Sequence, residues 1–159
     1  MATFNHKSFI THDSYMTPLY AWRDIIEYIP KGKVIWEAFY GDGKSGSHLQ
    51  ELGFNVIHEP IDFFLNNRGD IIVSNPPFSL CKEIMKRLFY IDKPFIIILP
   101  SSKINTQYFR EWKDKDIQLI IPKKRLQFIK DGIENNTNCN FDCFYYCYRI
   151  NLPKDIVWL

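Results

Sequence analysis

A polar amide followed by two prolines and an aromatic ring is the part of this sequence best suited to chemistry. Asn75, Pro76, Pro77 and Phe78 come directly after a β-branched run at 71–73, which predicts a buried strand ended by the prolines. The side-chain carbonyl of Asn75 and the backbone carbonyl of Pro76 are two fixed acceptors, which suit the two donors of a planar –NH2 group. Phe78 offers a face for a planar heterocycle. We therefore expect a site for an aromatic amine such as adenine N6. The alternative is a loop that only ends the strand, with Phe78 in the core.

A second candidate segment surrounds two glycines after an apolar stretch that predicts the first strand. It begins at Glu37 and continues through Phe39 and Gly41 to Gly43. Glycines permit a tight turn and close approach of the backbone to a nucleotide-like cofactor, and an acidic residue can accept hydrogen bonds from it. A phosphate-binding P-loop is the alternative, but that motif requires glycine where this chain has Ala38.

Taken together, these segments resemble a known family. Residues 75–78 match the (D/N/S)PP(Y/F) motif of S-adenosylmethionine-dependent amino-methyltransferases, and residues 37–43 match that family's (D/E)-x-F-x-G-x-G motif. The resemblance covers roughly residues 13–149 and is strongest to small phage- or virus-type adenine-N6 methyltransferases. It implies a class I, Rossmann-like methyltransferase fold, with a mostly parallel central sheet, an antiparallel last strand and S-adenosylmethionine as cofactor.

The resemblance also implies roles for individual residues. Glu59 ends the second predicted strand, where it could accept from ribose hydroxyls or be only a surface charge. Asp62 and Phe63 resemble the segment near the cofactor adenine, and residues 15–18 resemble a segment that lines its methionine side, although they could simply start a helix. The expected catalytic residues are Asn75, Pro76, Pro77 and Phe78. The expected cofactor-binding residues are Tyr15, Thr17, Pro18, Glu37, Phe39, Gly41, Gly43, Glu59, Asp62, Phe63 and Asn75.

The expected substrate is nucleic acid, with DNA favoured over RNA. The net charge is only +2, but Lys123, Lys124 and Arg125 form a basic cluster that could contact phosphates or be a solvated face. Two alternatives are a protein glutamine methyltransferase, whose amide substrate would use the same acceptors, and an inactive methyltransferase-like partner subunit. Because no target-recognition domain is visible, specificity is expected to come from residues 123–130, the 131–138 stretch or the N-terminus, or from a second copy in a homodimer or a partner subunit.

The predicted elements alternate between strands and helices, which favours an α/β fold with a mainly parallel sheet. Thr17 is expected to cap the first helix, with Pro18 in its first turn. Helices are predicted at 18–29, 44–52, 80–90 and 106–113, and strands at 33–38, 54–58, 70–73, 95–99, 118–121 and 140–150. The polar stretch 131–138 predicts a mobile loop, and residues 1–13 are expected to be irregular.

Length and composition favour one domain over residues 1–159. Hydrophobic residues make up 46% of the chain, and no apolar run is long enough to cross a membrane. Without a signal-peptide pattern, the expected location is the cytoplasm, or the host cytoplasm for a phage or viral protein. Cys139, Cys143 and Cys147 lack the second pair of ligands that a zinc site needs, so buried thiols and no metal are expected.

Overall fold

The computed structural model describes residues 15–130 and 141–159. Strands and helices alternate along this part of the chain. The strands are β1 (Tyr15–Met16), β2 (Val34–Trp36), β3 (Asn55–Ile57), β4 (Ile71–Ser74), β5 (Phe95–Pro100), β6 (Ile117–Ile121), β7 (Ile129–Lys130), β8 (Cys143–Tyr148) and β9 (Ile156–Trp158). The α-helices are α1 (Leu19–Arg23), α2 (Lys44–Glu51), α3 (Cys81–Ile91) and α4 (Gln107–Arg110). Short 3-10 helices occur at Ile26–Tyr28, Phe78–Leu80 and Ser101–Asn105.

Seven strands form one sheet in the order β3-β2-β4-β5-β8-β6-β9. All neighbouring pairs are parallel except those of β8, which runs antiparallel to both β5 and β6. This confirms the predicted α/β fold with a mostly parallel sheet and a late antiparallel strand. The carboxyl ends of β2, β3, β4 and β5 lie at one edge of the sheet, where open α/β sheets bind their ligands.

Both faces of the sheet are covered. In β4, Ile71 and Val73 belong to one hydrophobic cluster and Ile72 to the other, and all three side chains are at most 1% exposed. Helices α1 and α2 contribute to the first cluster, and α3 and α4 contribute to the second. Double-sided burial explains why β4 is a continuous β-branched run with no polar alternation.

Three predicted helix features are wrong. The helix expected at 18–29 ends at Arg23 and is followed by the 3-10 helix Ile26–Tyr28, which keeps Trp22, Ile25 and Ile29 buried at 3- and 4-residue spacing. Thr17 does not cap it, because Pro18 holds the N-cap position without a side-chain hydrogen bond and the Thr17 side chain is buried directly after β1. The helix expected at 106–113 is shorter too, ending at Arg110.

Two pairings have no counterpart in the prediction. Strands β1 and β7 form a separate antiparallel ribbon, and β9 pairs with β6 at the edge of the large sheet. Strands of two or three residues are too short to show the alternation by which strands are predicted. The expectations for residues 1–13 and 131–138, and the thiol of Cys139, lie outside the described residues.

The thiols that the structure describes are consistent with core packing. Cys81, Cys143 and Cys147 are buried. Within residues 15–130 and 141–159, no cluster of three or more metal-ligating side chains occurs. No described helix combines the length and the apolar character needed to cross a membrane.

Candidate functional site

The two segments predicted to do chemistry meet at the carboxyl edge of the sheet. Strands β2 and β4 are parallel neighbours, with Trp36 in register with Ile72. Glu37 therefore leaves β2 beside the end of β4, where Ser74 leads into Asn75. The sheet itself brings together residues that are 37 positions apart in sequence.

Asn75 has one satisfied and one unsatisfied polar group. Its Nδ2 donates a hydrogen bond of 3.0 Å to the backbone carbonyl of Tyr15 in β1. Its Oδ1 is buried and has no hydrogen-bond partner among the described residues. The donor contact fixes the orientation of the amide, because exchanging the two atoms would place one oxygen against another. A buried acceptor left unpaired costs about 1–3 kcal/mol, so Oδ1 is suited to a donor that arrives with a ligand.

The residues after Asn75 hold an aromatic ring near this acceptor. Pro76 and Pro77 are buried, and Phe78 opens a 3-10 helix with its side chain half-buried. The Phe78 ring stacks on Tyr15, with centroids 6.2 Å apart and planes 19° apart. It also makes edge contacts with Phe128 and Phe141. The ring is thus held within an aromatic cluster, which we define as Tyr15, Phe78, Phe128 and Phe141.

Glu37 is a buried acid whose two oxygens are both hydrogen-bonded. Oε2 accepts from the Ser45 hydroxyl at 2.5 Å, and Oε1 accepts from the backbone N–H of Phe39 at 3.1 Å and from the Ser74 hydroxyl. Ser45 in turn accepts from the indole N–H of Trp22 at 3.0 Å. The side chain is 1% exposed. Burial raises its pKa from an ordinary value of 4.5 to about 7, although the three hydrogen bonds oppose that rise.

The glycine loop is closely packed by neighbouring side chains. Gly41 and Gly43 have φ angles of 60° and 82°, which side-chain-bearing residues rarely adopt. A Cβ on Gly41 would lie 2.9 Å from the Met16 sulfur, and a Cβ on Gly43 would lie 2.8 Å from the Tyr40 hydroxyl. Met16 therefore places the 15–18 segment beside the glycine loop, and Thr17 and Pro18 are buried; the predicted contacts of this segment with a cofactor stay predictions.

The two acidic residues that follow β3, Glu59 and Asp62, are bound to neighbouring protein groups. Glu59 is half exposed and forms an ion pair with Arg68 at 3.7 Å. The Asp62 carboxylate accepts a 2.8 Å hydrogen bond from the backbone N–H of Phe64. Phe63 is 1% exposed and packs 4.7 Å from the buried ring of Phe39. Contacts of Glu59, Asp62 and Phe63 with a cofactor stay predictions.

Tyr40 and His58 are two residues at this edge that the sequence analysis did not select. Their rings stack with centroids 5.8 Å apart, and the His58 Nδ1 is buried without a hydrogen-bond partner among the described residues. His58 follows β3, and Gly46 of α2 lies so close to its ring that a Cβ there would clash. The only sequence signal was a glycine inside a predicted helix, which often marks such a close approach.

The basic cluster is only partly available to a ligand. Lys123 and Lys124 are exposed. Arg125 forms a two-pronged ion pair with Asp142, at 3.0 and 3.3 Å, and this contact lowers the pKa of the Asp142 carboxyl. The basic cluster is followed in sequence by Phe128, a member of the aromatic cluster that contacts Phe78. The basic and aromatic clusters are therefore close together in sequence.

Comparison with known proteins gives a likeness in structure but none in sequence. No protein-family model and no curated protein matches the sequence. A solved structure from Listeria monocytogenes, described as that of a "putative class I S-adenosylmethionine-dependent methyltransferase", is 12% identical in sequence and superposes with a TM-score of 0.48. The match covers 92% of this chain but only 66% of the other. A likeness with a TM-score this low gives no information about the activity of this chain.

Proposed function

We propose that this chain transfers a methyl group from S-adenosylmethionine to the exocyclic N6 of adenine in nucleic acid, with DNA favoured. The observation that carries the proposal is the Asn75 Oδ1 at the end of β4, a buried acceptor without a partner among the described residues, whose amide is held in place by the Tyr15 carbonyl. An incoming amine would satisfy it. No other segment of the described chain combines a fixed free acceptor with a half-buried aromatic ring three residues away.

The residues at this edge fit the proposed cofactor. The positive φ angles of Gly41 and Gly43 make a tight turn at this edge. The imidazole of His58, whose Nδ1 has no hydrogen-bond partner among the described residues, would offer a ring nitrogen to a ribose hydroxyl. Glu59 lies directly after it and has an exposed carboxylate. When bound, S-adenosylmethionine supplies an activated methyl group on sulfur. Tyr15, Thr17 and Pro18 would line its other side, next to Met16 and Gly41.

The chain's own contribution to the reaction is the positioning of the amine. Asn75 Oδ1 and the Pro76 carbonyl would accept the two N6 hydrogens and so aim the nitrogen lone pair. These hydrogen bonds strengthen as the nitrogen becomes positively charged, which stabilises the transition state more than the ground state. Alignment of this kind can supply at most about 7–11 kcal/mol of a barrier. Phe78 would stack on the base, which must leave its duplex or come from a single strand.

Glu37 acts in this proposal as a positioning residue. Its carboxyl connects the glycine loop, through Phe39 and Ser45, to Ser74, the residue before Asn75. Both of its oxygens are occupied by protein donors and the side chain is buried. We therefore assign it to holding the cofactor loop and the amine-binding loop in register, and not to direct contact with the cofactor.

Parallel methyl-transfer assays test the proposed function. Protein incubated with S-adenosylmethionine carrying a labelled methyl group is offered DNA, RNA and a mixed protein extract, and the products are digested to nucleosides or amino acids. We expect label in N6-methyladenine from DNA. Label in RNA would correct the substrate, label in glutamine would refute adenine as the acceptor, and no label in any acceptor would favour an inactive partner subunit.

A further inference from the structure

An exposed tryptophan marks the edge strand of the large sheet. Trp158 in β9 is 75% exposed and Ile156, two residues earlier on the same face, is 44% exposed, whereas Val157 between them is buried against the core. By contrast, Trp22 and Trp36 are fully buried. A large ring with a polar N–H that stays in water is typical of contact surfaces.

Trp158 ends an apolar row that starts inside the core. Across the sheet, Leu99 of β5 pairs with Phe144 of β8, and Ile121 of β6 pairs with Trp158 of β9. Phe144 and Ile121 occupy neighbouring positions, since the preceding pair is Ile120 with Tyr145. Exposure rises along the row from buried Leu99, through half-buried Phe144 and Ile121, to exposed Trp158. This row lies at the same edge of the sheet as Asn75, because β4, β5, β6 and β9 run in the same direction.

Positively charged side chains lie along the same edge of the sheet as this row. Lys123 and Lys124 are exposed and begin two residues after Ile121, the register partner of Trp158. Lys103 lies in the 3-10 helix that follows β5 at the same edge, next to Ile104, which is 41% exposed. Asp142, which precedes β8 there, is already paired with Arg125. A polyanion complements such an edge, whereas a second copy of the chain would bring the same lysines against it.

We infer that Trp158 is a stacking platform for single-stranded DNA, and that Lys123 and Lys124 hold the phosphates of the strand between Trp158 and Asn75. This inference rests on the proposed function and deepens it by assigning a substrate-binding surface. β9 lies four strand spacings from β4, or about 19 Å at about 4.8 Å per spacing. That distance corresponds to about six nucleotides at the helical rise of about 3.4 Å, and to fewer in an extended strand.

Equilibrium binding without cofactor tests the surface separately from methyl transfer. A fluorescein-labelled single-stranded DNA 20-mer containing adenines is titrated with wild type, Trp158→Ala, Trp158→Phe and Tyr90→Ala. We expect Trp158→Ala to raise the Kd about tenfold, in line with the loss of one stacking contact. Trp158→Phe keeps an aromatic face and should stay within about threefold of wild type. Tyr90 is 81% exposed on α3, away from this edge, so Tyr90→Ala is a matched control and should bind like wild type.

Three outcomes would overturn the inference. They are an unchanged Kd for Trp158→Ala, no measurable binding of the DNA by the wild type, and a wild-type dimer in sedimentation that Trp158→Ala converts to monomer. The last would show that the surface joins two copies of the chain. Because binding is measured without cofactor, a wild type that binds through Trp158 but transfers no methyl group would refute the proposed reaction and leave the surface standing. A wild type that methylates adenine in DNA, together with an unchanged Kd for Trp158→Ala, would refute the surface and leave the proposed reaction standing.

Discussion

At the scale of single residues, the site depends on how a buried carboxyl is satisfied. Glu37 receives hydrogen bonds from Ser45, Ser74 and the Phe39 backbone, yet burial raises its pKa to about 7. The desolvation cost therefore exceeds what these donors return when the group is ionised. If Glu37 carries a proton near neutral pH, its carboxyl donates a hydrogen bond that it would otherwise accept. The direction of hydrogen bonding then changes within the series that connects Trp22, Ser45, Glu37 and Ser74.

The raised pKa of Glu37 predicts a pH-dependent stability. Because the folded-state pKa of about 7 exceeds the ordinary value of 4.5, the folded protein holds a proton that the unfolded chain has lost between these pH values. The proton on Glu37 contributes about 3 kcal/mol to the free energy of unfolding. This contribution is fully present below pH 4.5 and is lost as the pH rises to 7. We expect Glu37→Gln to remove that part of the slope in urea unfolding measured from pH 4.5 to 8.

The matched control for this measurement is Glu59→Gln. Glu59 is half exposed and paired with Arg68 on the surface, where such pairs contribute little. Its variant should keep the wild-type slope. A Glu37→Gln protein whose free energy of unfolding follows the wild-type pH profile would contradict the assignment of a raised pKa to Glu37.

At the scale of elements, the approach of α2 to the end of β3 is tight enough to exclude a side chain. Gly46 is a buried helical residue, and a Cβ there would clash with the imidazole of His58. We expect Gly46→Ala to lower the free energy of unfolding by about 1–3 kcal/mol, the usual cost of overpacking, and to weaken cofactor binding by displacing His58. Thermal unfolding and calorimetric titration with S-adenosylmethionine measure the two effects.

A second substitution separates the clash from the helix itself. The double variant Gly46→Ala and His58→Ala has room for the added methyl group, so it should regain most of the stability lost in Gly46→Ala. It should not regain cofactor affinity, because the His58 ring is gone. A double variant less stable than Gly46→Ala would show that the cost arises elsewhere.

The sequence predicted the elements with strong local signals and missed those that depend on distant partners. Buried β4 and the double proline after it were predictable from seven consecutive residues, and the antiparallel late strand followed from the family resemblance. The β1–β7 ribbon and β9 are too short to carry a periodic signal. The contact of Trp22 with Ser45 spans 23 residues, and that of Ser74 with Glu37 spans 37; such contacts are created only by the folded sheet.

At the scale of the whole molecule, charge is distributed unevenly although its total is only +2. Lys123 and Lys124 lie at the carboxyl edge of the sheet, whereas Lys31 and Lys33 lie at the opposite edge, near the start of β2. Arg125 is paired with Asp142. The two lysines, and not Arg125, are therefore expected to supply the phosphate contacts.

This distribution predicts a change in the salt dependence of nucleic-acid binding. Each phosphate contact with a single strand contributes about 0.7 to the slope of log K against log salt. The double variant Lys123→Ala and Lys124→Ala should therefore flatten the slope by about 1.4 and weaken binding. Lys31→Ala with Lys33→Ala removes the same charge from the opposite edge and serves as the control. Equal slopes for the two double variants would exclude the carboxyl edge as the phosphate-binding surface.

The role of Asn75 in holding the amine is tested most directly by measuring cofactor binding and methyl transfer separately in Asn75→Ala. Asn55→Ala, which removes an exposed amide at the opposite edge of the sheet, is the control. We expect both variants to bind S-adenosylmethionine with a Kd near that of wild type, measured by calorimetry. Single-turnover transfer to adenine should be lost only in Asn75→Ala. Transfer by Asn75→Ala at the wild-type rate would contradict the role of the Asn75 Oδ1 as the acceptor that holds the amine.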